Sequence, residues 1–181
     1  DWNCCVRLQA SEASLDAGGE FQNLGRSAAV DAPTTTAAFG APRYASLEGA
    51  VYVFDVQSGG SGEFRNEVQL LTASDGEASD SFGESIALDG RLAVVGAPLA
   101  DNNDGAVYLF ELAEIRGVEG WIERGIIPRP GGLSQGVCTF GGKFNLLLAG
   151  NSVALDGATA VAGCRDGYNV TVHTAFVMET P

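Results

Sequence analysis

The amino-acid sequence predicts an all-β fold of stacked, four-stranded antiparallel sheets, about three of them in 181 residues. Three observations carry that expectation. Gly reaches 25 residues and hydrophobic residues 45%, while charged residues stay at 18% and no long helix-forming stretch occurs. That balance suits many short strands joined by tight turns. A long segment of the chain recurs within it. Asp-Gly pairs stand between apolar runs, where a hairpin turn needs them.

The best-preserved copy of the repeat reads Phe82-Gly83-Glu84-Ser85-Ile86-Ala87-Leu88-Asp89-Gly90 and continues to Gly96-Ala97-Pro98. After an Asp/Asn loop it ends in Gly105-Ala106-Val107-Tyr108-Leu109-Phe110. An earlier copy runs from Leu24-Gly25-Arg26-Ser27 through Phe39-Gly40-Ala41-Pro42 to Gly49-Ala50-Val51-Tyr52-Val53-Phe54. Gly25 to Gly83 is 58 positions, whereas Gly40 to Gly96 and Phe54 to Phe110 are 56, so one two-residue difference between Asp31 and Gly40 reconciles the copies. A third, decayed copy carries Gly150, Ser152, Asp156-Gly157 and Gly163, with Gly83 to Gly150 and Asp89 to Asp156 both 67 positions.

Within the second copy, 85–88 and 91–96 are apolar-rich strands joined by Asp89-Gly90, a pair suited to a type I′ turn. The third strand, 105–112, carries Tyr108 and Phe110 on one face and Val107 and Leu109 on the other, as expected of a sheet covered on both sides. The small residues of Gly96-Ala97-Pro98 permit close approach of neighbouring sheets. Outer fourth strands fit 67–71 and 121–127. The single domain divides into an outer strand and lead-in (1–23), a first repeat (24–81), a second (82–146) with an irregular insertion at 115–143, and a degenerate third (147–181). Four strands per repeat, stacked face to face, is the plan of a β-propeller blade.

Phe82-Gly83 followed by Gly96-Ala97-Pro98, the Ala73-Ser74-Asp75-Gly76 lead-in and the Gly105-to-Phe110 strand together resemble the FG-GAP repeat, a family that includes the integrin α-subunit head. The resemblance covers nearly the whole chain, strongly over 24–112 and weakly over 113–181. It implies a β-propeller-type stack of four-stranded antiparallel blades, used for protein, matrix or glycan binding. Three repeats are too few for a ring of roughly four to eight blades, so either repeats are missing from this chain, or it forms an unusual three-sheet ring, or other chains cover the open side. The resemblance also implies closure by a terminal strand added to the last blade, and residues 1–9 are in phase for that role. A chain beginning at Asp1 fits a processed protein or a piece of a longer one.

Integrin-like repeats often hold calcium between their first two strands, where this chain has the turns Asp89-Gly90 and Asp156-Gly157. Two residues cannot wrap six or more oxygens around Ca²⁺, so no cofactor is expected there. Calcium at Asp101-Asn102-Asn103-Asp104-Gly105 is the alternative, although that run has no downstream Glu. For catalysis, His173 is the single imidazole, and no nucleophile elbow, zinc-protease or phosphate-loop motif occurs. No catalytic or metal-ligating residue is therefore expected.

The net charge of −13 repels phosphate backbones and anionic head groups, which argues against nucleic-acid binding. No apolar run is long enough for direct membrane insertion. Cys4, Cys5, Cys138 and Cys164 lack Cys-x-x-Cys spacing. They are disulfide candidates, with Cys4 or Cys5 joined to Cys138 or Cys164, or else reduced thiols. Asn169-Val170-Thr171 is a glycosylation sequon.

The expectation is a non-catalytic protein-interaction or structural scaffold subunit of a larger assembly, extracellular or in an organelle lumen, with other protein chains as partners. An extrinsic subunit of a membrane complex fits equally. Tyr44, Leu47, Leu99, Ile126 and Ile127 are interaction candidates because they sit in or beside loops. The alternatives are a Ca-dependent adhesion or glycan-binding propeller, and a glycan-active enzyme on the same scaffold.

Overall fold

The computed structural model of the chain describes residues 7–10, 22–56, 64–103, 105–127, 147–166 and 175–179. In chain order the strands are β1 (Arg7–Gln9), β2 (Ala28–Asp31), β3 (Thr36–Ala41), β4 (Ala50–Asp55), β5 (Phe64–Asn66), β6 (Gln69–Leu71), β7 (Ser85–Asp89), β8 (Leu92–Ala97), β9 (Ala106–Ile115), β10 (Val118–Ile126), β11 (Leu147–Asp156), β12 (Thr159–Asp166) and β13 (Ala175–Glu179). The other short elements among the described residues are Tyr44–Leu47, a turn with left-handed φ at Ala45, Ser46 and Leu47, and one helical turn at Ala100–Asn103.

Eleven of these strands form three antiparallel sheets, and β1 and β5 form a separate parallel pair. Sheet I is ordered β2-β3-β4-β6, sheet II β7-β8-β9-β10 and sheet III β11-β12-β13. Each repeat of the sequence is thus one sheet, and the registers agree: Ala38 faces Val53 in sheet I as Val94 faces Leu109 in sheet II. Sheet I meets sheet II through β2 and β3 against β7, and sheet II meets sheet III through β7 and β8 against β11.

Alternation along each strand sends one row of side chains to each neighbour. Ala38, Val51 and Val53 of sheet I share a core with Phe82, Ile86, Tyr108 and Phe110 of sheet II. Val94, Val107 and Leu109, on the opposite face of sheet II, share a second core with Ala160 and Ala162 of sheet III. Sheet II is therefore apolar on both faces, as the sequence predicts. Phe82 is fully buried and meets Tyr108 and Phe110 edge-on at 5.3 and 5.9 Å. Such pairs add about 0.5–1.5 kcal/mol each beyond burial.

Four expectations are corrected. β1 does not extend the last sheet; it pairs in parallel with β5, a strand absent from the prediction. Leu8 and Ala10 there pack on Tyr52 and Phe54, apolar side chains of sheet I that sheet II cannot reach. The turns after Asp89 and Asp156 are not type I′, which requires positive φ at both central residues. Gly90 and Gly157 have φ of 56° and 55°, whereas Arg91 and Ala158 are not left-handed. The outer strand of the first repeat is shorter than 67–71, beginning at Gln69. Finally, the stretch from 115 is regular: β9 and β10 form a hairpin through Ile126 with one bulge between Glu123 and Gly125. Ladder bonds satisfy the backbone there, which the glycines and prolines of 115–143 obscured in the sequence. The remainder of that insertion, 128–143, lies outside the described residues.

Candidate functional site

The junctions between sheets are built from a few residues at equivalent positions. In β3, Gly40 lies opposite Ser27, whose carbonyl accepts from the Gly40 N–H at 2.9 Å. The Ser27 hydroxyl donates across the junction to the Gly83 carbonyl at 2.8 Å. A Cβ on Gly40 would fall 1.9 Å from that carbonyl oxygen and 2.3 Å from Ser27 Oγ. Gly83 has a φ of 88°, and its own Cβ would fall 2.5 Å from the Ala50 carbonyl oxygen. The Phe-Gly pair of one repeat thus fits into a notch left by the Gly of Gly-Ala-Pro in the repeat before it.

Aspartates join the other end of the first strands. Asp31 accepts from the Thr34 N–H and hydroxyl at 2.8 and 2.6 Å, and from the Gly90 N–H of sheet II at 3.0 Å. The Thr34 hydroxyl is the main reason the Asp31 carboxyl titrates below its ordinary range, against the opposing effect of burial. Asp89 in turn accepts from the Gly157 N–H of sheet III. Between equivalent positions, Arg26 Nε donates to Glu84 at 2.9 Å, a surface pair of small energetic weight.

At the Phe82 end, the Tyr108 hydroxyl donates to Asp75 at 2.8 Å. Burial, then that bond, then the charges of Asp75, Asp80 and Glu123 raise the tyrosine's pKa well above its ordinary value. Glu123 is held by the Ser74 N–H and hydroxyl at 2.9 and 2.8 Å, and the Glu77 N–H donates to Asp80 at 2.8 Å. The acidic lead-in is therefore bound into the connection between sheets I and II.

At the opposite end, a cleft of about 310 Å³ opens between sheets I and II. Thr34, Thr35, Asp55, Gln69, Glu119 and Trp121 contribute to its walls. The Gln69 amide clamps the outer strands together: its Nε2 donates to the Trp121 carbonyl at 2.7 Å, and its Oε1 accepts from the Trp121 N–H at 2.8 Å. Thr35 donates to Asp55 at 3.1 Å. Val68 at 63% exposure is part of the lining, and Val118 at 71% exposure closes the nearby β9–β10 hairpin. Hydroxyls, carboxylates and an aromatic wall can hydrogen-bond and stack; among the described residues, none that lines the cleft carries a thiol or an imidazole. Among the described residues, no three or more His, Cys, Asp or Glu are grouped to hold a metal ion.

The residues singled out by sequence are scattered. Tyr44 and Leu47, both half-buried, lie in the turn after β3, with Tyr44 edge-on to Tyr52 at 6.4 Å. The Leu47 carbonyl accepts from Ser81 N–H at 2.8 Å, and the Leu99 N–H donates to the Asp80 carbonyl at 3.1 Å. Ile126 is exposed on β10, whereas Ile127 packs against the second core. Tyr44, Leu47 and Leu99 therefore line one end of the molecule, and none of the five lines the cleft. Cys164 lies on β12, while Cys4, Cys5, Cys138, Asn169 and His173 are outside the described residues. Asp101, in the calcium alternative, has a left-handed φ of 51° in a single helical turn. Ser27, Asp31 and Gln69 were missed by sequence reasoning. For the first two a signal exists, since Ser27, Ser85 and Ser152 and Asp31, Asp89 and Asp156 recur at the repeat offsets.

These junctions explain why Phe-Gly and Gly-Ala-Pro occur together, and residues 66–110 match the family model of the FG-GAP repeat. The chain carries an FG-GAP repeat. The matched segment begins at the last residue of β5, takes in β6, the outer strand of sheet I, and ends in β9, so it spans the junction built by Phe82 and Gly83. No curated protein matches the chain. No helix among the described residues is long and apolar enough to cross a membrane.

Proposed function

We propose that the chain is a non-catalytic protein-interaction or scaffold module of the β-propeller type, each FG-GAP sheet acting as one blade. The supporting observation is the recurrence of the same junction at both sheet boundaries: Asp31 to Gly90, then Asp89 to Gly157. Sheets that meet through their first two strands, each fixed to the next, make a rigid platform whose hairpin ends carry the recognition surface. On this platform the cleft beside Trp121, rimmed by Val68, is the contact site. Exposed Val68 on its rim and Val118 on the nearby hairpin supply apolar area, and the charge of −13 favours a partner with a basic surface by electrostatic steering.

Photo-crosslinking from position 118 in an extract of the producing cells tests this. One recurrent protein partner should be captured, and Val68→Asp should abolish the adduct. Recovery of only non-recurrent adducts, or purified chain turning over a glycan, would overturn the reading.

A further inference from the structure

The two outer faces of the stack repeat the two halves of the junction. Sheet I meets sheet II through Ser27, Ala29 and Asp31 of its first strand, and sheet II meets sheet III through the equivalent face of β7, with Ala87 in the core and Asp89 on Gly157. In sheet III the same three positions are Ser152, Ala154 and Asp156, and all three are exposed. Ala160 and Ala162 of β12 point back into sheet II. Gly163, equivalent to Gly40, therefore lies on the outward face, where a Cβ would come within 3.4 Å only of Ser152 Oγ. The notch that holds the next repeat's Gly83 carbonyl in the first junction is present here, and among the described residues only Ser152 borders it.

The receiving half is presented at the other end. Phe82, Ile86 and Leu88 of sheet II pack into the first junction. Their equivalents in sheet I are Leu24, Ala28 and Val30, all exposed, Val30 to 68%. The position of Gly90 is taken by Ala32, which keeps a backbone N–H because the proline falls one residue later, at Pro33.

We propose that copies of this chain associate head to tail, with the outer face of sheet III in one copy seated on the outer face of sheet I in the next. Asp156 accepts from the Ala32 N–H, Val30 covers Ala154, and the Gly25 carbonyl enters the notch at Gly163. The contact continues an interface already made twice within the chain. Because it joins two different faces, it is heterologous and propagates until a ring closes or a filament grows. The inference rests on the stacked-repeat reading of the proposed function.

Sedimentation of the whole chain tests it. The wild type should form species at multiples of 18.7 kDa that increase with concentration. Val30→Asp and Asp156→Lys change exposed residues, so each should fold as the wild type does and sediment as a monomer. Mixed together, they should give a 1:1 heterodimer and nothing larger, because each supplies the one face the other lacks. Gly163→Ala should weaken assembly by roughly tenfold or more, the effect of about 1.4 kcal/mol, while changing the melting temperature of the monomer little, because the one atom its Cβ meets, Ser152 Oγ, ends an exposed side chain that can rotate away. A wild type that stays monomeric to about 1 mM, where only contacts weaker than about 4 kcal/mol fail to show, overturns the proposal. Assembly that survives both single variants, or a mixture that stays monomeric while the wild type assembles, overturns it as well. Thermal melts of Asp31→Ala separate this failure from failure of the stack. If Asp31→Ala leaves stability unchanged, the junction reading itself falls; if it destabilises while the wild type is monomeric, only the head-to-tail contact falls.

Discussion

Replacing Gly40 by Ala adds one carbon at the notch in β3 that the Gly83 carbonyl of the second repeat enters. Gly40 does not have a positive φ, so its backbone accepts alanine, and any cost must come from packing. The new Cβ would stand 1.9 Å from the Gly83 carbonyl oxygen. Ordinary carbon–oxygen contacts are about 3.3 Å or longer, so the sheets must part by about 1.4 Å at this point. A gap of about 0.5–1 Å already forfeits a quarter to a half of each van der Waals contact, and Ala38, Val51 and Val53 lie on that face. Overpacking of this kind costs about 1–3 kcal/mol, and loss of the Ser27–Gly83 hydrogen bond adds about 1 kcal/mol. The expected total is about 3 kcal/mol, or roughly 6–12 °C in Tm for a chain of this size. Two controls isolate the cause in a calorimetric series. Gly90→Ala meets nothing within 4 Å but has a φ of 56°, and should cost only about 1–2 kcal/mol of backbone strain. Ser27→Gly combined with Gly40→Ala removes the flexible neighbour and leaves the carbonyl clash, so it should remain destabilised. A Gly40→Ala melt within 1 °C of wild type, or full rescue by Ser27→Gly, would refute the reasoning.

The pKa directions at the junction and its acidic end give two further outcomes. Asp31 has a depressed folded pKa, so its stabilisation is complete above the unfolded value of about 3.9 and is lost as pH falls through the folded value. Asp31→Asn should flatten the acid limb of a stability profile below about pH 4, and an unchanged limb would show that the carboxylate is not coupled to folding. Tyr108 has a raised pKa, so the unfolded phenol ionises first and stability declines above about pH 10. In urea melts Tyr108→Phe should lessen that alkaline decline while lowering stability at neutral pH by about 1 kcal/mol, the worth of one buried hydrogen bond.

Much of the fold could be read because the repeat and the strand alternation reinforce each other. Tyr108 and Phe110 alternating with Val107 and Leu109 require two covered faces, and the structure supplies both. The role of β1 was not legible in this way. Three residues, Arg7–Gln9, carry too little pattern to choose between two sheet edges, and the deciding contact is with β5, more than fifty positions away. The Asp-Gly pairs were legible as turns but not as ties between sheets, because a turn residue and a cross-sheet acceptor impose the same identity. The cleft was invisible for a different reason. It depends on the placement of Gln69 against Trp121, residues 52 positions apart whose pairing no local rule encodes.

Residues shared by the copies and residues that differ between them do different jobs. Ser27, Asp31 and Gly40 each have a counterpart in sheets II and III, and what they do is hold one sheet to the next. A group needed at every junction gives no junction an identity of its own. The cleft walls are the reverse case. Thr34 and Thr35 belong to the four-residue loop between Asp31 and Thr36, where sheet II makes its turn with Gly90 and Arg91 alone. Gln69 faces Val53, and the equivalent partner of Leu109 is Gly125, which has no side chain to bridge a neighbouring strand. The cleft between sheets I and II therefore cannot be copied at the next boundary, even though the scaffold around it is. Recognition that distinguishes one boundary of a repeat stack from another must use such unshared groups, and here they converge on a single opening beside Trp121.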